Sequence, residues 1–133
     1  MNGYLLDTNA LLWLGFQSST LRPLARDALL RGPRFVSAVS IAEIAIKAAL
    51  GKLPLPPPFQ TDFEAAVRTL LDESIIDLLP LDLSVATRLR HLPQFHKDPF
   101  DRMIIAQALD LGLTVATRDR AFFDYAGLEI LEV

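Results

Sequence analysis

Four acidic residues lie far apart in the chain, each near the expected end of a strand or start of a helix: Asp7, Glu43, Asp101 and Asp119. Carboxylates that are forced together repel one another, so a converging set needs a cation between them. Hard divalent cations prefer oxygen ligands, and in proteins they commonly act on phosphate groups. The pattern therefore predicts a divalent-metal site with phosphate chemistry.

The order of the surrounding elements decides whether these acids can meet. Short apolar runs predict buried strands at residues 4–6, 34–37, 75–79, 114–116 and 128–131. Helical patterns separate them, at residues 10–14, 21–31, 40–50, 61–73, 84–92, 98–112 and 120–125. A proline-rich connection covers residues 52–59. This alternation predicts an α/β fold, with a parallel sheet of four to five strands and helices on both faces.

In a parallel sheet, the C-terminal ends of strands and the N-terminal ends of helices lie along the same edge. Asp7 ends the first strand, and Asp119 follows the 114–116 strand by a short turn. Glu43 and Asp101 are expected in the first turns of their helices. All four carboxylates should therefore face one rim, where helix N-termini also favour phosphate groups.

Some of these acids also have a structural explanation. Residues 40–43 match a capping box, in which the glutamate reaches back to a backbone N–H. Asp98 is a good N-cap, and Asp101 is a favourable acid in a first helical turn. Asp7 and Asp119 are harder to explain in this way, because a carboxylate at the end of a buried apolar strand is costly unless it is paired or coordinated.

Basic residues beside the acids are candidate phosphate contacts: Lys47, Arg102, Arg118 and Arg120. Ordinary charge pairing on helix surfaces, such as Glu43 with Lys47 at i,i+4, is the alternative explanation. His91 and His96 are candidates for a general acid or a ligand, although a loop histidine is more often solvated or paired locally. Phe122 and Phe123 are the first candidates for exposed aromatic area that a partner would cover, with core packing as the commoner role.

Composition narrows the class of protein. With 133 residues, 51% hydrophobic and 22% charged, the chain fits one globular domain spanning residues 1–133. The absence of cysteine excludes disulfides and thiolate metal sites and fits a cytoplasmic location. There is no signal-peptide pattern and no uncharged apolar run of about 18 residues, so no membrane association is expected. The net charge of −3 means that local basic residues and a cation must attract any nucleic acid.

Four segments, in this order and spacing, resemble PIN-domain ribonucleases: LLDTN at 5–9, SIAEIAIK at 40–47, HKDPFDR at 96–102 and TRD at 117–119. They are most similar to the VapC-type toxins of bacterial and archaeal toxin–antitoxin pairs, and the similarity runs from about Tyr4 to the C-terminus. The resemblance implies a Mg²⁺ or Mn²⁺ site and endonucleolytic cleavage of RNA. It also implies homodimers and a small antitoxin protein that wraps the toxin and blocks its site.

Carried over by position, the resemblance assigns the family's four acids to Asp7, Glu43, Asp101 and Asp119. Asp98 matches an acid of the subgroup with the DPFDR motif and is a secondary member of the site. Thr8 and Thr117 match polar positions that support the carboxylates. Asp124 lies close enough in sequence to replace or assist Asp119.

In such a site, Asp7 and Asp101 are expected to hold the principal ion, and Asp119 completes its shell directly or through water. Glu43 would orient or deprotonate the attacking water, and Glu43 and Asp98 are further candidate ligands. The number of ions and the choice between Mg²⁺ and Mn²⁺ stay open. One alternative is a structure-selective DNA nuclease with the same acids. Another is a catalytically silent nucleic-acid or protein binding module, against which the four intact acids argue.

Overall fold

The computed structural model describes residues 2–133 and contains one five-stranded sheet. Its strands are β1 (Tyr4–Leu6), β2 (Arg34–Ser37), β3 (Asp77–Leu79), β4 (Thr114–Thr117) and β5 (Ile130–Glu132). All neighbouring strands are parallel, in the order β3-β2-β1-β4-β5. The predicted parallel α/β sheet is confirmed, and β1 lies at its centre with β2 and β4 on either side.

Helices connect the strands as the sequence pattern indicates. They are α1 (Thr8–Phe16), α2 (Pro23–Arg31), α3 (Ala38–Ala49), α4 (Pro58–Thr61), α5 (Phe63–Ser74), α6 (Leu83–Arg88) and α7 (Pro99–Leu111). Short 3₁₀ helices cover Ser18–Thr20, Leu89–His91 and Arg120–Asp124. Residues 2–133 contain no helix with the length and apolar character that crossing a membrane requires.

The two faces of the sheet carry separate apolar cores. Leu5 and Leu6 of β1 are both fully buried, and successive residues of a strand point to opposite faces. Leu6 packs in a cluster with side chains of α1, α2, α3 and α5, whereas Leu5 packs in a cluster with side chains of α7. Helices therefore cover both faces, as predicted, and together they hold β1 and β4 rigidly beside each other.

The start of α3 differs from the expectation. The helix begins directly after β2, and its N-cap is Ser37, whose Oγ accepts a hydrogen bond from the backbone N–H of Val39 at 3.0 Å. Ser40, the expected cap, is fully buried inside the helix. Glu43 consequently lies in the second turn, and its carboxylate contacts other side chains instead of a helix N–H. The capping-box interpretation of residues 40–43 is therefore wrong.

Two other boundaries also shift for local reasons. The proline-rich connection ends in the short helix α4, because proline at the first helical position needs no hydrogen bond from its nitrogen. Strand β3 starts only at Asp77, because Ile75 closes α5 with a left-handed backbone, φ 53°.

The two neighbouring phenylalanines differ in exposure: Phe122 is fully buried, and Phe123 is 41% exposed. Only Phe123 is left as a candidate for contact with a partner.

Candidate metal centre

The four acids meet in one cavity at the C-terminal edge of the sheet, with a volume of about 390 Å³. Asp7 follows β1 directly, and Asp119 lies two residues beyond β4. Glu43 projects into the cavity from α3, and Asp101 projects from the first turn of α7. Other residues that line the cavity include Thr8, Asn9, Trp13, Lys47, Asp98 and Arg118. The parallel topology thus brings together the acids that the sequence separates.

Asp7 is held by two hydrogen bonds. Its Oδ1 accepts from the backbone N–H of Ala10 at 2.7 Å, which caps α1. Its Oδ2 accepts from Thr117 Oγ1 at 2.6 Å, and that same hydroxyl oxygen accepts from the backbone N–H of Asp119 at 3.0 Å. The end of β4 therefore fixes the carboxylate at the end of β1.

Glu43 is 5% exposed, and both of its carboxylate oxygens have partners. Thr8 donates its hydroxyl hydrogen to Oε1 at 2.6 Å, and the Lys47 ammonium donates to Oε2 at 2.7 Å. The Thr8 contact joins residues that are 35 positions apart and ties α1 to α3. We call this region the β1–α3 half of the cavity, defined by Asp7, Thr8, Glu43, Lys47 and Thr117.

The opposite wall is the α7 half, defined by His96, Asp98, Asp101 and Asp119. Asp98 caps α7: its Oδ1 accepts from the backbone N–H groups of Phe100 at 2.9 Å and Asp101 at 3.4 Å. Asp119 caps the short 3₁₀ helix, because its Oδ1 accepts from Ala121 N at 3.0 Å. These bonds leave the second oxygen of each carboxylate directed to other groups.

Asp101 has much weaker support. Within residues 2–133, the polar group that approaches its carboxylate is the His96 imidazole, whose Nε2 lies 3.1 Å from Asp101 Oδ2. The same Nε2 lies 3.6 Å from Asp119 Oδ2. The His96 side chain is only 9% exposed. A largely buried imidazole therefore lies between Asp101 and Asp119.

Two of the crowded carboxyl groups, those of Asp7 and Asp101, have raised pKa values. Burial raises the pKa of Asp7 to about 6, although the hydrogen bonds from Thr117 and Ala10 oppose this change. Burial, and then the negative charge of Asp98, raise the pKa of Asp101 to about 8. The hydrogen bond to Glu43 raises the pKa of Lys47. A carboxyl group that prefers its proton beside other acids marks a region of strong negative potential, which a bound cation would relieve.

The donor set fits a divalent cation. One ligand atom each from His96, Asp101 and Asp119 lies within 4.8 Å of the others. Asp7 faces the same cavity with two oxygens that can each accept a further contact. Each oxygen of Glu43 also has one partner, but one of these is the positively charged Lys47, so Glu43 fits a supporting role better than direct ligation. The carboxylates and the imidazole are ligands that Mg²⁺, Mn²⁺ and related ions accept.

Of the predicted basic residues, Lys47 and Arg118 line the cavity and Arg102 does not. Arg102 points away from the cavity, and its guanidinium donates to the backbone oxygens of Pro93 at 2.7 Å and Leu92 at 3.2 Å. Arg118 lines the cavity, where its Cζ lies 4.4 Å from the centroid of the Trp13 ring. Lys47 lines the cavity but is bonded to Glu43. Arg102 therefore stabilises a loop, whereas Arg118 offers a cation at the wall.

Two further candidate site residues, Asp124 and His91, lie outside the cavity. Asp124 ends the 3₁₀ helix and does not line the cavity, and His91 is exposed in another 3₁₀ helix. His96, the other histidine that the sequence offered as a general acid or ligand, lies beside Asp101 and Asp119 instead of in solvent. Its position five residues before Asp101, across the start of α7, was the available signal.

The geometry agrees with what sequence comparison finds. A family model described as the PIN domain matches residues 4–128. The chain belongs to the PIN-domain family. The resemblance stated from the four segments is confirmed at the level of the family and of the fold. The sequence has no match among curated proteins.

Solved structures of similar fold cover nearly the whole PIN domain. DNA-bound VapBC from Salmonella typhimurium has a TM-score of 0.69 at 22% identity, over 98% of each chain. FitAcB from Neisseria gonorrhoeae has a TM-score of 0.61 at 26% identity, over 97% of this chain and 96% of that chain. A toxin–antitoxin complex from Klebsiella pneumoniae has a TM-score of 0.62 at 23% identity, over 98% and 97%.

Proposed function

We propose that this PIN domain is a divalent-metal-dependent endoribonuclease that acts as the toxin of a type II toxin–antitoxin pair. The observation that carries the proposal is the Asp101 carboxyl, which meets three other acids in one cavity and has the His96 imidazole as its polar contact within residues 2–133. Its pKa is raised to about 8 in a cavity that also contains Asp7, Glu43 and Asp119. Carboxyl groups that are crowded in this way destabilise the metal-free protein, so their convergence is best explained by a function that requires them at one site.

Asp7, Asp101 and Asp119 would hold the cation, with Asp98 close enough to assist. When bound, Mg²⁺ or Mn²⁺ would supply the positive charge that stabilises a phosphodiester in its transition state and would make water a better nucleophile. The chain's own contribution is to keep the ligands in place. The bonds of Asp7 to Thr117 and to the α1 N-terminus orient its two oxygens before any cation arrives.

Glu43 would accept a proton from the water that attacks the phosphorus. A bond would form between the water oxygen and phosphorus while the bond to the leaving ester oxygen breaks. A carboxylate oxygen of Glu43 would take the proton of the attacking water, and the leaving oxygen would take a proton from solvent. Thr8 and Lys47 hold that carboxylate from two sides, so it cannot rotate away from the reacting atoms. Proton transfer of this kind needs a base within hydrogen-bond reach of the water.

Arg118 would bind a phosphate of the RNA strand. Its Nε donates to the backbone oxygen of Val133 and one Nη donates to the backbone oxygen of Thr20, both at 2.8 Å. These two bonds and the stacking on Trp13 fix the guanidinium at the cavity wall. A guanidinium has five N–H donors, so donors are left for a substrate oxygen.

An antitoxin protein and a second copy of this chain are the proposed partners, in the cytoplasm. The related structures from Salmonella typhimurium and Klebsiella pneumoniae are of a VapBC and a toxin–antitoxin complex, which supports this class of partner. Large apolar side chains are also exposed here, among them Leu24 at 85%, Leu83 at 78% and Ile75 at 76%. A partner protein would remove such surface from water.

The decisive experiment is cleavage of total cellular RNA by the purified protein, free of any antitoxin. Reactions with Mg²⁺ or Mn²⁺ are compared with reactions in EDTA, with the Asp7→Asn variant and with DNA as substrate. Discrete RNA fragments that need both the metal and Asp7 would support the proposal. Cleavage of DNA alone would favour the DNA nuclease. Metal-independent binding of RNA without cleavage would favour a silent binding module.

A further inference from the structure

We propose that His96 is a nitrogen ligand of the metal ion and gives the site a preference for Mn²⁺ over Mg²⁺. The inference rests on the proposed metal-dependent function and adds a ligand of a different chemical class to the acidic set. It starts from the position of one atom. The His96 Nε2 lies 3.1 Å from Asp101 Oδ2 and 3.6 Å from Asp119 Oδ2.

These separations match neighbouring ligands around a single cation. An ion that bonds nitrogen and oxygen at about 2.0–2.2 Å keeps adjacent ligand atoms roughly 3.0–3.5 Å apart. The three ligand atoms of His96, Asp101 and Asp119 all lie within 4.8 Å of one another. A cation held between the two carboxylates therefore comes within bonding distance of the imidazole without any large movement of the ring.

Packing fixes the ring in this orientation. The imidazole meets the Phe122 ring edge to face, with centroids 5.3 Å apart and an interplanar angle of 76°. The Tyr125 ring lies 6.5 Å away on centroid distance. The other nitrogen, Nδ1, is buried and has no hydrogen-bond partner among residues 2–133. In most metal sites the ligating histidine donates its second N–H to a carboxylate, a backbone carbonyl or water. His96 departs from that pattern among residues 2–133, and the aromatic contacts are what orient its ring.

The ligand type has a consequence for the choice of metal. Mg²⁺ prefers oxygen ligands and keeps several waters. Imidazole suits transition ions such as Fe²⁺, Ni²⁺ and Zn²⁺ best, and Mn²⁺ shares the oxygen preference of Mg²⁺ but accepts an imidazole nitrogen more readily than Mg²⁺ does. A site with one imidazole nitrogen should therefore bind Mn²⁺ more tightly than Mg²⁺. Loss of the imidazole should weaken Mn²⁺ binding and leave Mg²⁺ binding nearly unchanged.

The test is pulsed electron paramagnetic resonance of Mn²⁺ bound to the full chain without a histidine tag. The sequence contains only two histidines, so the His91→Asn variant leaves His96 as the sole imidazole. This variant is a matched control because His91 is exposed and lies outside the cavity. We expect the nitrogen coupling of a bound imidazole in the wild-type protein and in His91→Asn, and its loss in His96→Gln.

Calorimetric titrations give a second readout. The His96→Gln variant should bind Mn²⁺ about 10- to 100-fold more weakly, with a change of less than about threefold for Mg²⁺. Mn²⁺ binding to His91→Asn without imidazole coupling would overturn the ligand role of His96 and leave the metal site in place. Failure of the folded wild-type protein to bind any Mn²⁺ would overturn both proposals. The His91→Asn spectrum decides the question even if His96→Gln does not fold.

Discussion

Glu43 and Asp101 face the same cavity, but the structure holds their carboxylates in different ways. In the β1–α3 half, Glu43 accepts hydrogen bonds from Thr8 and Lys47, and Asp7 accepts from Thr117 and Ala10. In the α7 half, the Asp101 carboxylate has one polar contact within residues 2–133, the imidazole of His96 at 3.1 Å. Glu43 and Asp7 therefore each have two hydrogen-bond donors, whereas Asp101 has a single imidazole contact.

This difference in hydrogen bonding suits the two carboxylates to different roles, Glu43 to proton transfer and Asp101 to metal binding. A carboxylate with fixed partners is positioned in advance and loses little when substrate arrives, which suits a base that handles a proton. A buried carboxyl near like charges is destabilised until a cation arrives, so metal binding is strongly favourable there. We therefore expect substitutions in the two halves to change folding stability in opposite directions.

The largest effect should come from Asp101→Asn. We expect cleavage of RNA to fall at least about 100- to 1000-fold, because the substitution removes a charge that holds the cation at the reacting phosphate. The metal-free fold should be retained, and at pH 8 it should gain about 1–2 kcal/mol, since a neutral amide relieves the repulsion. Cleavage rates and urea unfolding measure the two effects.

The matched control is Asp27→Asn, which removes one exposed carboxylate from α2, outside the cavity. It should leave both the cleavage rate and the stability nearly unchanged. Full activity of a folded Asp101→Asn protein would remove Asp101 from the proposed metal site.

The substitution Glu43→Gln should have the opposite effect on folding. An amide can still accept from Thr8 but would place an N–H₂ group against the Lys47 ammonium, so a partly buried ionic hydrogen bond is lost. We expect the free energy of unfolding to drop by about 2–3 kcal/mol in urea. An increase in stability, as for Asp101→Asn, would mean that the two halves do not differ as described.

Much of this arrangement follows from the sequence, because it depends on topology. Asp7 and Asp119 come at the ends of adjacent parallel strands, so the alternation of strands and helices was enough to place them together. Asp98 before Pro99 predicted the start of α7 correctly, because that pair has a strong local preference for the N-terminus of a helix.

The sequence predicted the partners of these acids less well. The Thr8–Glu43 bond joins positions 35 apart and depends on how α1 packs against α3, which local patterns do not report. The capping box was misassigned because Ser37, at the end of β2, competes with Ser40 for the same role. His96 and Arg102 both lie near α7, but the fold of the loop at 92–97 decides which one contacts the acids.

The third prediction concerns pH. The raised pKa values of Asp7, about 6, and Asp101, about 8, mean that the folded protein keeps protons that the unfolded chain has already released. Stability of the metal-free protein should therefore fall as pH rises from 5.5 to 8.5, by about 1–2 kcal/mol.

Urea midpoints in EDTA, measured across that range, test this expectation. Saturating Mg²⁺ or the Asp101→Asn substitution should remove most of the dependence of stability on pH. The contributions of other titrating groups cancel when the stability of Asp101→Asn is subtracted from that of the wild-type protein at each pH. A stability that stays level or rises with pH in EDTA would show that the repulsion in the α7 half is already relieved without a cation.

The smallest expected effect is on RNA binding, and it should differ between two arginines. Arg118 lines the cavity, whereas Arg102 is bonded to backbone oxygens of the loop before α7. Both Arg118→Gln and Arg102→Gln remove one positive charge, so the change in net charge is the same. Only Arg118→Gln should weaken the binding of single-stranded RNA in EDTA, by a few-fold, and should reduce the salt dependence of log Kd by about 0.7. Equal slopes for the two variants would mean that net charge, and not the fixed guanidinium at the cavity wall, attracts the RNA.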